Sequence, residues 1–107
     1  MARRPDQPAH FASHSTPLLD AMSNTNRLIM LDMLAKEEIK VGDLSERLGL
    51  SHSATSQHLG ILRRAGLVNA RRDAQTIFYS TSSASARSIL DMLKVIFDGE
   101  DADAEAA

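Results

Sequence analysis

The chain contains no cysteine, which excludes a disulfide framework, a thiolate metal cluster, a cysteine nucleophile and a thiol redox switch. Tryptophan is also absent, and three phenylalanines and one tyrosine are the only aromatics in 107 residues. A core must therefore come chiefly from Leu, Ile, Met and Ala. The five glycines form no phosphate-cradling loop, and neither a G-x-S-x-G elbow nor an H-E-x-x-H pair occurs. Ser51, His52 and Ser53 are sequence neighbours and cannot converge as a catalytic triad. No enzyme is expected. No apolar run approaches the ~18 residues of a bilayer span. Arg3 and Arg4 have no apolar stretch behind them, so no export signal is expected and the cytoplasm is the expected location.

What is present is an ordinary core-forming composition, 43% hydrophobic and 24% charged, of a size for one domain. So short a chain buries a modest share of its surface, and an oligomer would help it. The net charge of −2 conceals a division. Between Leu44 and Ser83, Arg47, Arg63, Arg64, Arg71 and Arg72 face only Glu46 and Asp73, while five carboxylates and no base follow from Asp98 onward. A basic middle is masked by an acidic end, and the distribution rather than the sum bears on partners.

Residues 1–16 are polar, carry Pro5 and Pro8, and read as a flexible arm. Pro17 suits the first turn of a short helix to about Ser23, with Leu18, Leu19 and Met22 as its apolar face. Asn24 or Thr25 caps a second, nearly all-apolar helix over about 26–36, and Ile39 to Val41 is a short extended link. Asp43-Leu-Ser-Glu46 resembles a capping box for a short helix that Gly49 ends. Ser51 caps a fourth helix over about 52–65, stopped by Gly66. Leu67–Arg72 and Thr76–Thr81 read as a β-hairpin turning at Asp73-Ala-Gln75. Ser82 or Ser83 caps a last helix over about 84–97, closed by Gly99, and residues 98–107 are expected to be a disordered acidic tail. The order α-α-α-α-β-β-α, mainly helical with one small hairpin, is that of a winged helix-turn-helix occupying residues 17–97.

The fourth helix separates into two faces. Thr55, Leu59 and Leu62 form a stripe suited to packing, while Ser53, Ser56, Gln57, Gly60 and Arg64 share the opposite side. A solvated helix face ordinarily carries Glu and Lys pairs. Here the first two turns offer short hydrogen-bonding groups and a glycine, which approach a base edge without stripping a hydrated ion. Gln57 is the leading base reader, because its amide can engage adenine N6 and N7 together. Ser53, Ser56 and His52 complete the base-reading set. Ser51, His58, Arg63 and Arg64, with Arg71, Arg72, Gln75 and Thr76 of the hairpin, are expected at phosphates. The bland reading of the hairpin pairs Arg72 with its neighbour Asp73. A dimer interface is expected through Leu18, Leu19 and Met22 at one end and Ile89, Leu90, Leu93, Ile96 and Phe97 at the other, although the same stripes also suit closure of a monomer core. His10 and His14 lie four apart but lack a third ligand.

The stretch VGDLSERLGLSHSATSQHLGILRRAGLVNARRDAQTIFYS resembles the ArsR/SmtB family of small bacterial repressors. The S-x-S-x-x-S-Q-H-L run at 51–59 and A-G-L-V at 65–68 carry the likeness, which covers about residues 17–97. The resemblance implies a homodimer joined through its first and last helices, with two recognition helices in successive major grooves of an inverted-repeat operator. It also implies, for many members, release of DNA on metal binding. This chain departs there: Lys40-Val-Gly-Asp-Leu44 replaces the Cys-Val-Cys-Asp-Leu of the metal sensors, and the last helix offers only Asp91 and no histidine. The RRDAQTIFYS hairpin and NRLIMLDMLAKEE helix resemble the branch without metal-site cysteines. No metal, cofactor or small-molecule ligand is expected. The expectation is a DNA-binding regulator, acting as a repressor and associated with the nucleoid through DNA. The alternative is a winged-helix module that docks another protein and ignores DNA sequence.

Overall fold

A computed structural model describes residues 8–106, with side chains from 9 to 98; the proposed arm before Pro8 lies outside the described residues. Eight elements follow in order: α1 (Pro8–Met22), α2 (Thr25–Lys36), β1 (Ile39–Lys40), α3 (Val41–Leu48), α4 (His52–Arg64), β2 (Asn69–Asp73), β3 (Thr76–Ser80) and α5 (Ala84–Ala106).

Local signals set most of the boundaries. Asn24 caps α2 by accepting from the Arg27 amide at 3.1 Å, and Ser51 caps α4 through the Ala54 amide at 3.0 Å. Such caps each contribute about 1 kcal/mol. Gly49 has φ of +66°, and the Leu50 amide reaches back to the Ser45 carbonyl at 3.0 Å. Gly66 at φ +76° does the same for α4, with the Leu67 amide on the Leu62 carbonyl at 2.9 Å. Both are left-handed helix stops that swing the next leucine back under the helix it leaves. Gly49→Ala is expected to destabilise the fold by about 1 kcal/mol, read by urea unfolding, because a Cβ is disfavoured at this φ.

Three boundaries differ from the sequence reading. The capping box fails: α3 begins two residues before Asp43, with Lys40 as its cap residue and no side-chain cap bond. Helix α1 begins at Pro8 and carries Pro17 in its interior. Upstream of the proline, Ser13, Ser15 and Thr16 turn their hydroxyls onto the carbonyls of His10, Phe11 and Ala12. Helix α5 continues through Gly99 to Ala106; a helix-interior glycine costs about 1 kcal/mol, a penalty and not a stop.

The link at Ile39 proves to be an edge strand. The sheet is antiparallel with order β1-β3-β2, Ile39 opposite Tyr79 and Arg71 opposite Phe78. The hairpin turns through Ala74 and Gln75 alone, Asp73 pairing with Thr76, and Ala74 sits at φ +57°.

Met30, Leu31, Leu34, Leu44, Thr55, Leu59 and Leu62 are fully buried, so α2, α3 and α4 close around one core. Thr81 ties the sheet to it, its hydroxyl donating to the Leu67 carbonyl and its amide to that of Leu34. Lys94 of α5 reaches Asp32 of α2 at 2.5 Å. That hydrogen bond leads in holding the Asp32 carboxyl below its ordinary range. The contribution is present above the unfolded carboxylate pKa and is lost as pH falls through the lower folded value. Met22 and Leu90 are buried in the chain's own core, a correction to their assignment to a dimer face.

Candidate nucleic-acid interface

The helix-turn-helix consists of α3, the turn at Gly49-Leu50, and α4. The inward stripe of α4 is fixed: Thr55, Leu59 and Leu62 have at most 1% exposure, and Thr55 also donates its hydroxyl to the Ser51 carbonyl at 2.9 Å. Those anchors set the rotation of the helix. Ser53, Ser56 and Gln57 consequently face outward, exposed, and Gly60 lies half-buried between them and Arg64. A Cβ at Gly60 would stand 3.3 Å from a terminal guanidinium nitrogen of Arg64, so its absence keeps the ridge low and leaves that side chain its path.

His52 and Ser51 lie exposed at the helix start. Ser51 is engaged as the cap, which leaves its hydroxyl proton available to donate outward. His58 is different. It is half-buried, and its Nδ1 stands 3.2 Å from the guanidinium of Arg27, whose Nε donates to the Ala21 carbonyl at 2.7 Å. Arg27 thus joins the end of α1 to the middle of α4, and His58 faces a neighbouring helix, not outward to a phosphate. No local sequence signal marks Arg27, because its partners lie 6 and 31 residues away.

The arginines divide into two groups. Arg63, Arg64 and Arg72 are exposed and form no ion pair among the described residues. Arg47 meets Glu37 at 3.2 Å. Arg71 is held by Glu38 through a fork, Nε to Oε2 and a terminal nitrogen to Oε1, both at 2.9 Å, and its guanidinium lies 4.9 Å above the Phe78 ring. The hydrogen bond from Arg71 is the main cause of a lowered Glu38 pKa. The pairing of Arg72 with Asp73 that the bland reading of the hairpin offered does not form, since successive strand residues point to opposite faces. Gln75 is exposed at the turn and Thr76 half-buried beside it.

A second surface lies away from this ridge. Of the eight large apolar residues that stand exposed among the described residues, six belong to α1 and α5: Phe11, Leu19, Met92, Val95, Ile96 and Phe97. Between these helices and α2 runs an apolar trough lined by Leu19, Leu28, Ile29, Ile89 and Leu93. Ile89 and Leu93 are half-buried along it, and Leu18 is half-buried on α1.

The residues do not fit a resident metal. Lys40 and Gly42 supply no soft ligand, Asp91 stands exposed on α5, and among the described residues no three His, Asp or Glu side chains converge. The rings of His10 and His14 lie 4.4 Å apart, tilted by 43°, with His14 Nδ1 at 3.0 Å from the His10 carbonyl. No helix of the described residues is long and apolar enough to cross a membrane.

Comparison with known proteins agrees with this geometry. Residues 24–70 match the model of the bacterial regulatory protein, arsR family. The nodulation protein NolR of Rhizobium meliloti is 55% identical over 86 residues, covering 80% of this chain and 70% of that protein. The transcriptional activator HlyU of Vibrio cholerae is 51% identical over 80 residues, or 75% of this chain and 74% of that one. The crystal structure of NolR from Sinorhizobium fredii superposes with a TM-score of 0.81 at 47% identity, covering 91% of this chain and 97% of that chain. The homodimeric winged helix-turn-helix DNA-binding domain of Mb0332 from Mycobacterium bovis gives 0.76 at 28% identity, with 92% and 91% covered. These relatives are regulators and not enzymes. The hairpin β2–β3 is accordingly the wing, α4 the second helix of the helix-turn-helix, and the chain belongs to the arsR family of bacterial DNA-binding transcriptional regulators.

Proposed function

We propose that the chain works as a homodimeric repressor that reads an inverted repeat in promoter DNA and covers it, its place of work being the nucleoid. The observation that carries this reading is the outward face of α4. An uncharged ridge of Ser53, Ser56 and Gln57, anchored from behind by Thr55, Leu59 and Leu62, is flanked by Arg63 and Arg64, exposed and without an ion pair among the described residues. Gln57 with the two serines and His52 meets base edges. Arg63, Arg64 and Arg72 meet phosphates, with Ser51, Gln75 and Thr76 as neutral donors to the backbone. The dimer forms through the exposed apolar residues of α1 and α5, Leu19, Ile96 and Phe97 among them, with Leu18, Ile89 and Leu93 beneath. The homodimeric Mb0332 domain supports that arrangement. A two-fold axis then sets half-sites about 34 Å apart on one face of the duplex.

Selection from random duplexes at two salt concentrations tests the reading. The expected product is an inverted repeat. A winged-helix module that docks proteins would return no enriched sequence. Three unpaired arginines on each of two protomers imply affinity falling by about 10³ between 50 and 200 mM salt. Arg72→Ala is expected to weaken specific and random duplexes alike, flattening the log–log salt slope by about 0.9 per protomer. A loss confined to one base position would instead make Arg72 a reader.

A further inference from the structure

Two adjacent carboxylates, Glu37 and Glu38, occupy the corner between α2 and β1, and each engages an arginine of the DNA-binding half. The pairing of Glu38 is the more complete. Its two oxygens take both parallel donors of the Arg71 fork at 2.9 Å, and Phe78, opposite Arg71 in the sheet, supports the guanidinium from below. Carboxylate and phosphate compete for the same arginine fork, since each offers two oxygens at matching spacing. Neither partner is sealed off, the side chains of Arg71 and Glu38 being 53% and 40% exposed. An exposed pair of this kind is weak, and a duplex phosphate is a ready competitor for it.

We infer that Glu38 is a built-in stand-in for a DNA phosphate: it holds the Arg71 fork in the free protein and yields it when the wing meets a duplex. This rests on the DNA-binding reading above. Arginine meeting phosphate releases a cation from the duplex, but the carboxylate left behind takes one up. The contact therefore adds little to the salt slope, and Glu38 suppresses the sequence-independent affinity that Arg71 would otherwise supply. Phe78 remains under the guanidinium throughout, so the fork is presented at the wing in either state. The device lowers the sequence-independent part of binding, on operator and random DNA alike, and leaves the base-reading ridge untouched.

The test compares wild type, Glu38→Gln, Arg71→Ala and the double variant by fluorescence anisotropy on a random-sequence duplex across a salt series. Glutamine keeps the shape of the side chain and removes its charge. Glu38→Gln is expected to tighten binding at least fivefold near 100 mM salt and to steepen the slope by about 0.9 per protomer. In the Arg71→Ala background the same change is expected to do neither, because no fork remains to be released. A gain that survives Arg71→Ala would mean a general field effect and would overturn the exchange. So would weaker or unaltered binding by Glu38→Gln, which would make the pair a strut that steadies the wing. If wild type itself shows no salt-dependent binding to any duplex, the functional reading falls. If wild type binds and only the Glu38→Gln gain is missing, the exchange alone falls.

Discussion

Val95→Glu is expected to leave the protomer folded, to abolish the dimer and to reduce affinity for the full inverted repeat by about 10²–10⁴. The size of the loss comes from effective concentration: once one recognition helix is seated, a linked second one binds as an intramolecular event. Without the link, each half-site is bound independently. Val95 is chosen because it is 70% exposed on α5, so no cavity opens in the protomer, and glutamate is a better helix former than valine. Met92 lies one turn before it on the same face and the exposed Ile96 follows it directly, and a carboxylate set beside them in a closed interface has no cation to meet its desolvation cost. Sedimentation equilibrium reads the oligomer, and anisotropy on half-site and full-site duplexes reads the binding. Half-site affinity is expected to be unchanged. A dimer that persists with full affinity would place the interface elsewhere, and the apolar residues of α1 and α5 would need another partner.

How far the sequence alone reached depended on how local each determinant was. Gly49, Gly66 and the Ser51 cap act within one turn, and their elements appear where the pattern put them. The stripe of Thr55, Leu59 and Leu62 is a period-3.6 signal inside a single helix, and it set the outward face of α4 correctly. The misses involve partners distant in sequence or competing local signals. Two residues at Ile39 and Lys40 carry no strand pattern of their own and become β1 only because Tyr79 and Phe78 lie alongside. Pro17 and Gly99 look like boundaries, but each is a finite penalty that the surrounding helix absorbs. Asp43 lost the cap of α3 because Val41 and Gly42 already continue the helix upstream.

The same distinction runs through the site. Which residues of α4 face outward followed from periodicity. Which charges are free did not, because Glu38 finds Arg71 across 33 residues, and sequence adjacency suggested Asp73 with Arg72 instead. His58 was placed toward DNA on its helical position alone, and only the packed α1–α2–α4 junction shows that Arg27 engages it. Met22 and Leu90 belong to apolar stripes with more than one use, and the folded chain uses both for its own core.

Gln57→Ala is expected to erase the preference for one base position in the operator while sparing affinity for random DNA. A bidentate amide on adenine discriminates by about 1–3 kcal/mol, so the ratio between the preferred base and the others at that position should fall by about 5- to 150-fold. Two features make the substitution clean. Gln57 is exposed and makes no hydrogen bond to the chain among the described residues, so its truncation leaves no buried group without a partner. Alanine is also the best helix former, so α4 is not weakened. Salt dependence should stay at the wild-type slope, because no cation is removed, and this separates the variant from Arg72→Ala. Competition among duplexes varied one position at a time measures the ratio directly. Equal losses on operator and random DNA would remove Gln57 from base reading and shift that role to Ser53 and Ser56. Their short hydroxyls bond several bases alike and would make a looser operator, so the breadth of the selected sequence is itself a reading of which side chain stands nearest the bases.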